Sequence, residues 1–363
     1  METLVLEKNE ISKLQKELLD RRAKTDVVVR ATNLKMTGSG NLTVPTPSGF
    51  SIDARLNNWS KNQLASYVEI PAIYYNKLAG SHVDLLAHNV NYWLERKPHS
   101  DKRLIRTYQG EAIAVLSDRY RAIDNYDVAT IALETANKVL ETQGRTMQVL
   151  RSYITDRVMN LTIMELEPSI VYPDGEQYRV GLEVRNSEVG AASFSMKGMI
   201  VRQSCTNGHI WGDPISQRHI GKRMGLGDIW SQRTIELQAA TTLSQADDMV
   251  KATFDLKAAQ AFADALQGLK VEKIPITAEY QDATEKILNL SNEDRKAIWG
   301  KVESNNKFEL VQAITAHAND LFKQKEAPEK ATDMQELGGK LVNHRSIWDE
   351  IAKEAEREGK KKQ

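Results

Sequence analysis

Residues 147–166, MQVLRSYITDRVMNLTIMEL, and residues 178–203, YRVGLEVRNSEVGAASFSMKGMIVRQ, carry the reading that decides the fold. Both alternate polar and apolar side chains, the period of a strand whose two faces meet different surroundings. Turn formers punctuate them at Pro173-Asp174-Gly175 and around Asn186-Ser187. Three or four antiparallel strands are therefore predicted over residues 146–203.

Working outward, residues 102–123 are again strand-like, with Gln109-Gly110 as the hairpin turn. Asp124 or Asn125 caps a helix over 124–141, with Val128, Ile131, Ala132 and Leu140 on one side. Upstream, a strand is read at 26–36, where Val27, Val28 and Val29 run in series, and TGSGNLTVPTPSG (37–49) reads as an exposed loop or hairpin. Residues 60–96 read as two short helices broken near Ile70-Pro71, and a third helix, DLLAHNVNYWLERK, follows. They suit a helix–turn–helix or a helical cap on a sheet, and their few basic residues favour the cap.

Leu6, Ile11, Leu14, Leu18 and Leu19 mark an amphipathic helix over 5–24. Beyond Gly227 helical periodicity recurs at 229–269, 278–290, 292–303, 307–325 and 345–358, while APEKATDMQELGGK (327–340) reads as a linker and EREGKKKQ (356–363) as a charged tail. The fold class is α+β, an antiparallel sheet core with packed helices and a largely helical C-terminal region. It divides into an N-terminal helix (1–25), an α+β body (26–240), a helical region (241–325) and a linker with a C-terminal helix (326–363).

The 363 residues suffice for a substantial core, and 41% hydrophobic with 27% charged residues is an ordinary globular balance. The 49 basic and 49 acidic side chains cancel, which argues against a histone-like protein and leaves local basic patches open. The segment METLVLEKNE carries charge from its second residue, and the chain holds no apolar run of about 18 residues. With a single cysteine, Cys205, these features lead us to expect a reducing cytoplasm and no membrane.

The densest constellation is MIVRQSCTNGHIWGDPISQRHIGKRMG, residues 199–225. It holds Cys205, His209 and His219, and the basic Arg202, Arg218, Lys222 and Arg223 against one acid, Asp213. Three readings compete. A zinc site would use the thiolate and imidazoles, but C-x3-H-x9-H matches no common zinc pattern. A nucleophilic cysteine needs only a nearby histidine, yet free cysteine usually packs as a small hydrophobe. An anion-binding surface would use backbone N–H groups at Asn207-Gly208, the four cations for phosphates, and Trp211 to stack on a base. A second basic cluster lies in 102–121, where Lys102, Arg103, Arg106, Arg119 and Arg121 outnumber Glu111 and Asp118 and Tyr108 and Tyr120 sit among them, Tyr120 as a stacking candidate. The last of these residues would also suit a salt-bridged turn. There is no G-x4-G-K-[ST], H-E-x-x-H or G-x-S-x-G, so neither an enzyme nor a bound cofactor or metal is expected.

Several phrases resemble a known family: IPAIYYNKL (70–78), LLAHNVNYWL (85–94), AVLSDRYRAIDN (114–125), RNSEVGAASFSMKGMIVRQSCTNG (185–208) and RHIGKR (218–223). The family is the phage/plasmid-like bacterial domain of unknown function, and the resemblance covers roughly residues 40–240. It implies a mobile-element protein working in the cytoplasm of a bacterial host, and supplies no established activity and no catalytic residues. Mobile elements commonly encode ring-forming, single-strand-annealing recombinases, an analogy at the level of gene content and architecture. The function expected is therefore single-stranded DNA binding by a homo-oligomer that mediates annealing or recombination. The alternative is an interaction protein that binds a host protein, for defence or replication control, through C-terminal helices around Trp299 and Trp348.

Overall fold

The computed structural model describes residues 8–120, 123–204, 207–217, 232–324 and 328–361. Among these, the chain builds two six-stranded sheets and twelve α-helices. Helix α1 (Lys8–Arg21) leads into β1 (Thr25–Arg30), β2 (Lys35–Met36), β3 (Leu42–Pro45) and β4 (Ser51–Leu56). Three helices follow, α2 (Asn58–Tyr67), α3 (Ala72–Ser81) and α4 (Val83–Glu95), then the hairpin β5 (Lys102–Tyr108) and β6 (Glu111–Ser117). The first sheet has the order β1-β5-β6-β4-β3-β2. Its central turn is the expected one: Gln109 and Gly110 take φ values of 48° and 80°, the left-handed pair that matches the twist of a two-residue hairpin.

Asn57 starts α2 by accepting the N–H of Ser60 at 2.8 Å. Helices α2–α4 bury Leu64, Tyr75, Leu86 and Leu94 with Val27, Leu42 and Ile105 of the sheet, so they are a cap and not a projecting helix–turn–helix. Residues 37–49, read as loop or hairpin, supply β3.

Helix α5 (Asn125–Thr142) leads into the second sheet, built from β7 (Met147–Ile154), β8 (Met159–Glu165), β9 (Ile170–Val171), β10 (Gln177–Asn186), β11 (Phe194–Arg202) and β12 (Gly208–Gln217). The strands run antiparallel in the order β12-β11-β10-β8-β7, with β9 beside β10. Strands β7, β8, β10 and β11 fall in the stretches whose alternation predicted three or four strands, and the short β9 adds a fifth. One face carries Leu161, Ile163, Val180, Leu182, Val184 and Ile200, packed with Val128, Ala132 and Leu140 of α5. Each such fully buried aliphatic side chain contributes about 1.5–3 kcal/mol, so this face anchors the fold.

The remaining helices are α6 (Gln232–Thr253), α7 (Leu256–Gly268), α8 (Ala278–Ile287), α9 (Asn292–Trp299), α10 (Lys307–Gln324), α11 (Pro328–Asn343) and α12 (Arg345–Lys361). Side-chain caps at Asp255, Thr277 and Ser291 start α7, α8 and α9. The expected linker at 327–340 is instead most of α11, beginning on a proline whose fixed φ suits a first helical position. Trp299 and Trp348 are both buried, and Trp348 Nε1 donates to the Leu341 carbonyl at 2.7 Å. Those indoles therefore cannot form the partner surface expected of them. Among the described residues no helix is long and apolar enough to cross a membrane.

Candidate nucleic-acid interface

Of the site residues expected from sequence, Arg202, Trp211, Arg119 and Tyr120 are described, while Arg218, Lys222, Arg223 and Arg121 lie outside the described residues. Trp211 is 9% exposed, stacks on Phe262 at 5.8 Å and lies against Gly198, where a Cβ would meet the indole at 2.8 Å. Too little of the ring is open to receive a base, which corrects its expected stacking role. Tyr120 is corrected in the same way. Its buried hydroxyl donates to the Ser187 carbonyl at 2.7 Å and accepts from the Gly190 N–H at 3.2 Å. Arg202 makes a two-pronged pair with Glu176 and stands over Phe308 at 5.6 Å, and its hydrogen bonding lowers the Glu176 pKa. Arg119 alone of the four is exposed.

Among the described residues no group of three or more His, Cys, Asp or Glu side chains could hold a metal. Cys205 and His219 of the sequence-level metal reading lie outside the described residues. His209 is fully buried beside Gln312 at 3.2 Å, and burial pushes its imidazole pKa down to about 3. It is neutral, so it offers an anion no charge.

The open site lies elsewhere. A cleft of about 600 Å³ runs between α1, the β5–β6 turn and the β7–β8 turn, lined by Lys13, Lys16, Arg157 and Tyr108 among others. Leu14 and Leu18 are buried with the core that includes α5, which turns Lys13 and Lys16, three residues apart, toward solvent. Arg157, exposed on the β7–β8 turn, stands 5.7 Å from the half-buried Trp59 ring. Among the described residues no carboxylate lies within ion-pairing distance of Lys13, Lys16 or Arg157, whereas Arg21 pairs with Glu17 and Lys24 with Glu188. The acids that line the cleft are thus partly neutralised internally.

Arg106 fixes the walls of this cleft. Its guanidinium, 3% exposed, donates to Asp26 at 2.8 Å, to the Glu188 carbonyl at 2.8 Å and to Asp124 at 3.0 Å. Those acceptors lie on β1, on the loop after β10 and beside the start of α5, so one side chain ties both sheets together. The carboxylates raise its pKa against burial, which acts the other way.

A second cationic region lies on the reverse face of the second sheet. Register places Arg151, Thr162, Glu183 and Lys197 in one row across four strands and Tyr153, Asn160, Arg185 and Ser195 in the next. Helices α10 and α11 cover this face. Asn319 of α10 accepts from Arg151 on one edge strand at 3.4 Å and donates to Asn207, beside the other edge strand, at 2.9 Å. Asn160 donates to Thr332 of α11 at 3.1 Å.

Of these cations only Arg106, in the basic cluster of residues 102–121, is singled out by the sequence. Arg179, Glu183 and Arg185 fall at every second or fourth position of β10, and that period already put them on one face. Lys13 and Lys16 sat on the polar side of a helix that was read as amphipathic. Comparison with protein-family models, curated proteins and solved structures finds no match to this chain.

Proposed function

We propose that the chain is a single-stranded nucleic-acid-binding protein that takes its ligand along the α1 cleft. The observation that carries this is the group of exposed cations without carboxylate partners, Lys13, Lys16 and Arg157, lining one open cleft with Tyr108. Ammonium and guanidinium groups meet phosphates, and a tyrosine face accepts a base without regard to its identity. A neutral chain with local cations suits a ligand held at a few phosphates, not along a whole surface.

Fluorescence anisotropy with labelled oligothymidylate and with a duplex of equal length tests it, at low and moderate salt. Strand-selective, salt-sensitive binding that falls at least tenfold in K13E/K16E/R157E is expected. Absence of binding at low salt would overturn the reading.

Self-assembly is the second reading, and one surface favours it. Ile73, 88% exposed, shares the outer side of the α3–α4 cap with the exposed Tyr74, Leu85, Tyr92 and Trp93. Arg96 covers the Tyr92 ring at 3.4 Å, so this side is apolar with a cationic rim. Sedimentation of the wild type and of I73E/W93E distinguishes an oligomer closed through this patch from a monomer. A wild type that sediments as a monomer, or an unchanged distribution in the variant, removes the patch as an interface.

A further inference from the structure

The two faces of the second sheet are covered by different chemistry. The α5 side is an apolar contact, whereas the α10–α11 side places Arg151, Arg185 and Lys197, with Glu183 in the same row, against helices. Charges withdrawn from water are costly unless fully bonded, and native helix–sheet contacts are normally apolar or satisfied. This contact is not fully satisfied. Nε and Nη2 of Arg151, Oε1 of Gln148 and both amide atoms of Gln335 have no hydrogen-bond partner among the described residues.

What α11 offers this face is negative charge. Glu329, Asp333 and Glu336 are spaced four and three residues apart, which aligns them on one side of the helix. Glu329 and Asp333 approach Arg185 at 3.9 and 3.8 Å, and Glu336 pairs with Lys197. Helical rise sets these charges about 5 Å apart along the axis. That is of the same order as the about 3.4 Å of helix axis per phosphate of one strand in a duplex.

We propose that α11 is an acidic pseudo-ligand: it masks a strand-binding face built on Arg185 and Lys197, with Arg151 and Asn160 alongside, and a single strand of nucleic acid replaces it. The identity of the ligand rests on the proposed function; the masking role of α11 does not. The opposing hold is apolar, through the buried Met334, Leu341 and Val342, so opening has a threshold and the resting protein stays closed. A strand contributes phosphates to the same cations and bases to the polar row beside them, which is how it competes.

The test uses the full chain and the charge-neutral variant E329Q/D333N/E336Q, with oligothymidylate as probe. Anisotropy at low salt is expected to show the variant binding at least fivefold tighter than the wild type. Hydrogen exchange of the wild type with saturating oligothymidylate is expected to quicken over α11 and to slow over β10 and β11; this arm needs no variant and stands even if the substitutions impair folding. Equal affinities with unchanged exchange over α11 overturn the proposal. If K13E/K16E/R157E abolishes binding and α11 never opens, the cleft reading stands and the mask falls. If the α11 variant binds despite those three reversals, the mask stands and the cleft reading falls. No binding by any form removes both.

Discussion

A Cβ placed on Gly339 would lie 1.6 Å from the carbonyl oxygen of Ile210, so α11 meets β12 along a backbone-to-backbone seam that only glycine permits. Its neighbour Gly338 is nearly as tight, with Thr315 Cγ2 2.6 Å from the Cβ position.

Gly339→Ala is therefore expected to destabilise the protein. Alanine's better helix propensity offsets only about 1 kcal/mol, and forcing a methyl group against a backbone carbonyl costs about 3 kcal/mol or more. Thermal unfolding followed by circular dichroism, with hydrogen exchange over α11, reads both the loss and its location. A G339A protein as stable as the wild type, with α11 still protected, refutes the seam.

Arg106→Met should cost about 3 kcal/mol, because it strips the Asp26 and Asp124 carboxylates and the buried Glu188 carbonyl of their guanidinium donor. Lys24 would remain 4.0 Å from Asp124 and limit the loss. Urea unfolding measures it. Because Arg106 and Glu188 are shielded from solvent, the difference between wild type and variant should change little between low and moderate salt. A loss that vanishes at moderate salt would place this network at the surface.

The β5–β6 hairpin and most of the second sheet were legible because their cause is local, whereas β4 of the first sheet was not predicted. Gln109-Gly110 can make one kind of turn, and β10 and β11 alternate as strands do. Helix α11 was not legible, because Gly338-Gly339 has the local signature of a linker and its reason lies across space in β12. Three residues of the expected site are turned to structural contacts for a related cause. Trp211, Tyr120 and Arg202 stand among basic residues in sequence, but strand pairing sends the two rings inward and Arg202 onto Glu176. Lys13 and Arg157, 144 positions apart, meet only when α1 docks beside the β7–β8 turn.

His209 makes stability depend on acid. Unfolded, the imidazole takes up a proton below its ordinary pKa of 6.5; folded, burial holds the pKa at about 3. The unfolded state thus binds the extra proton, so this contribution is complete above pH 6.5 and is lost as pH falls toward 3. Its slope approaches about 1.4 kcal/mol per pH unit below the unfolded pKa. Glu183, whose carboxyl pKa burial pushes upward, acts with the opposite sign, so the informative quantity is the difference between wild type and His209→Gln. Urea midpoints at pH 5, 6 and 7 should fall more steeply for the wild type. Parallel curves would mean that the imidazole is protonated in the folded state.

Arg202 and Lys16 test the proposed division between structural and ligand-binding cations. Arg202 is committed to Glu176, whose pKa falls as a result, whereas Lys16 is exposed and lines the cleft. Arg202→Glu would set two carboxylates against each other and should lower stability by about 2 kcal/mol while leaving the salt dependence of strand binding unchanged. Lys16→Glu should do the reverse. Its stability stays within about 0.5 kcal/mol of the wild type, and the slope of log affinity against log salt becomes shallower by about 0.7, one phosphate contact. Anisotropy titrations at four salt concentrations, beside urea unfolding of both variants, measure the two axes independently. A shallower slope in R202E with none in K16E would move the ligand from the α1 cleft to the β10–β11 end of the second sheet.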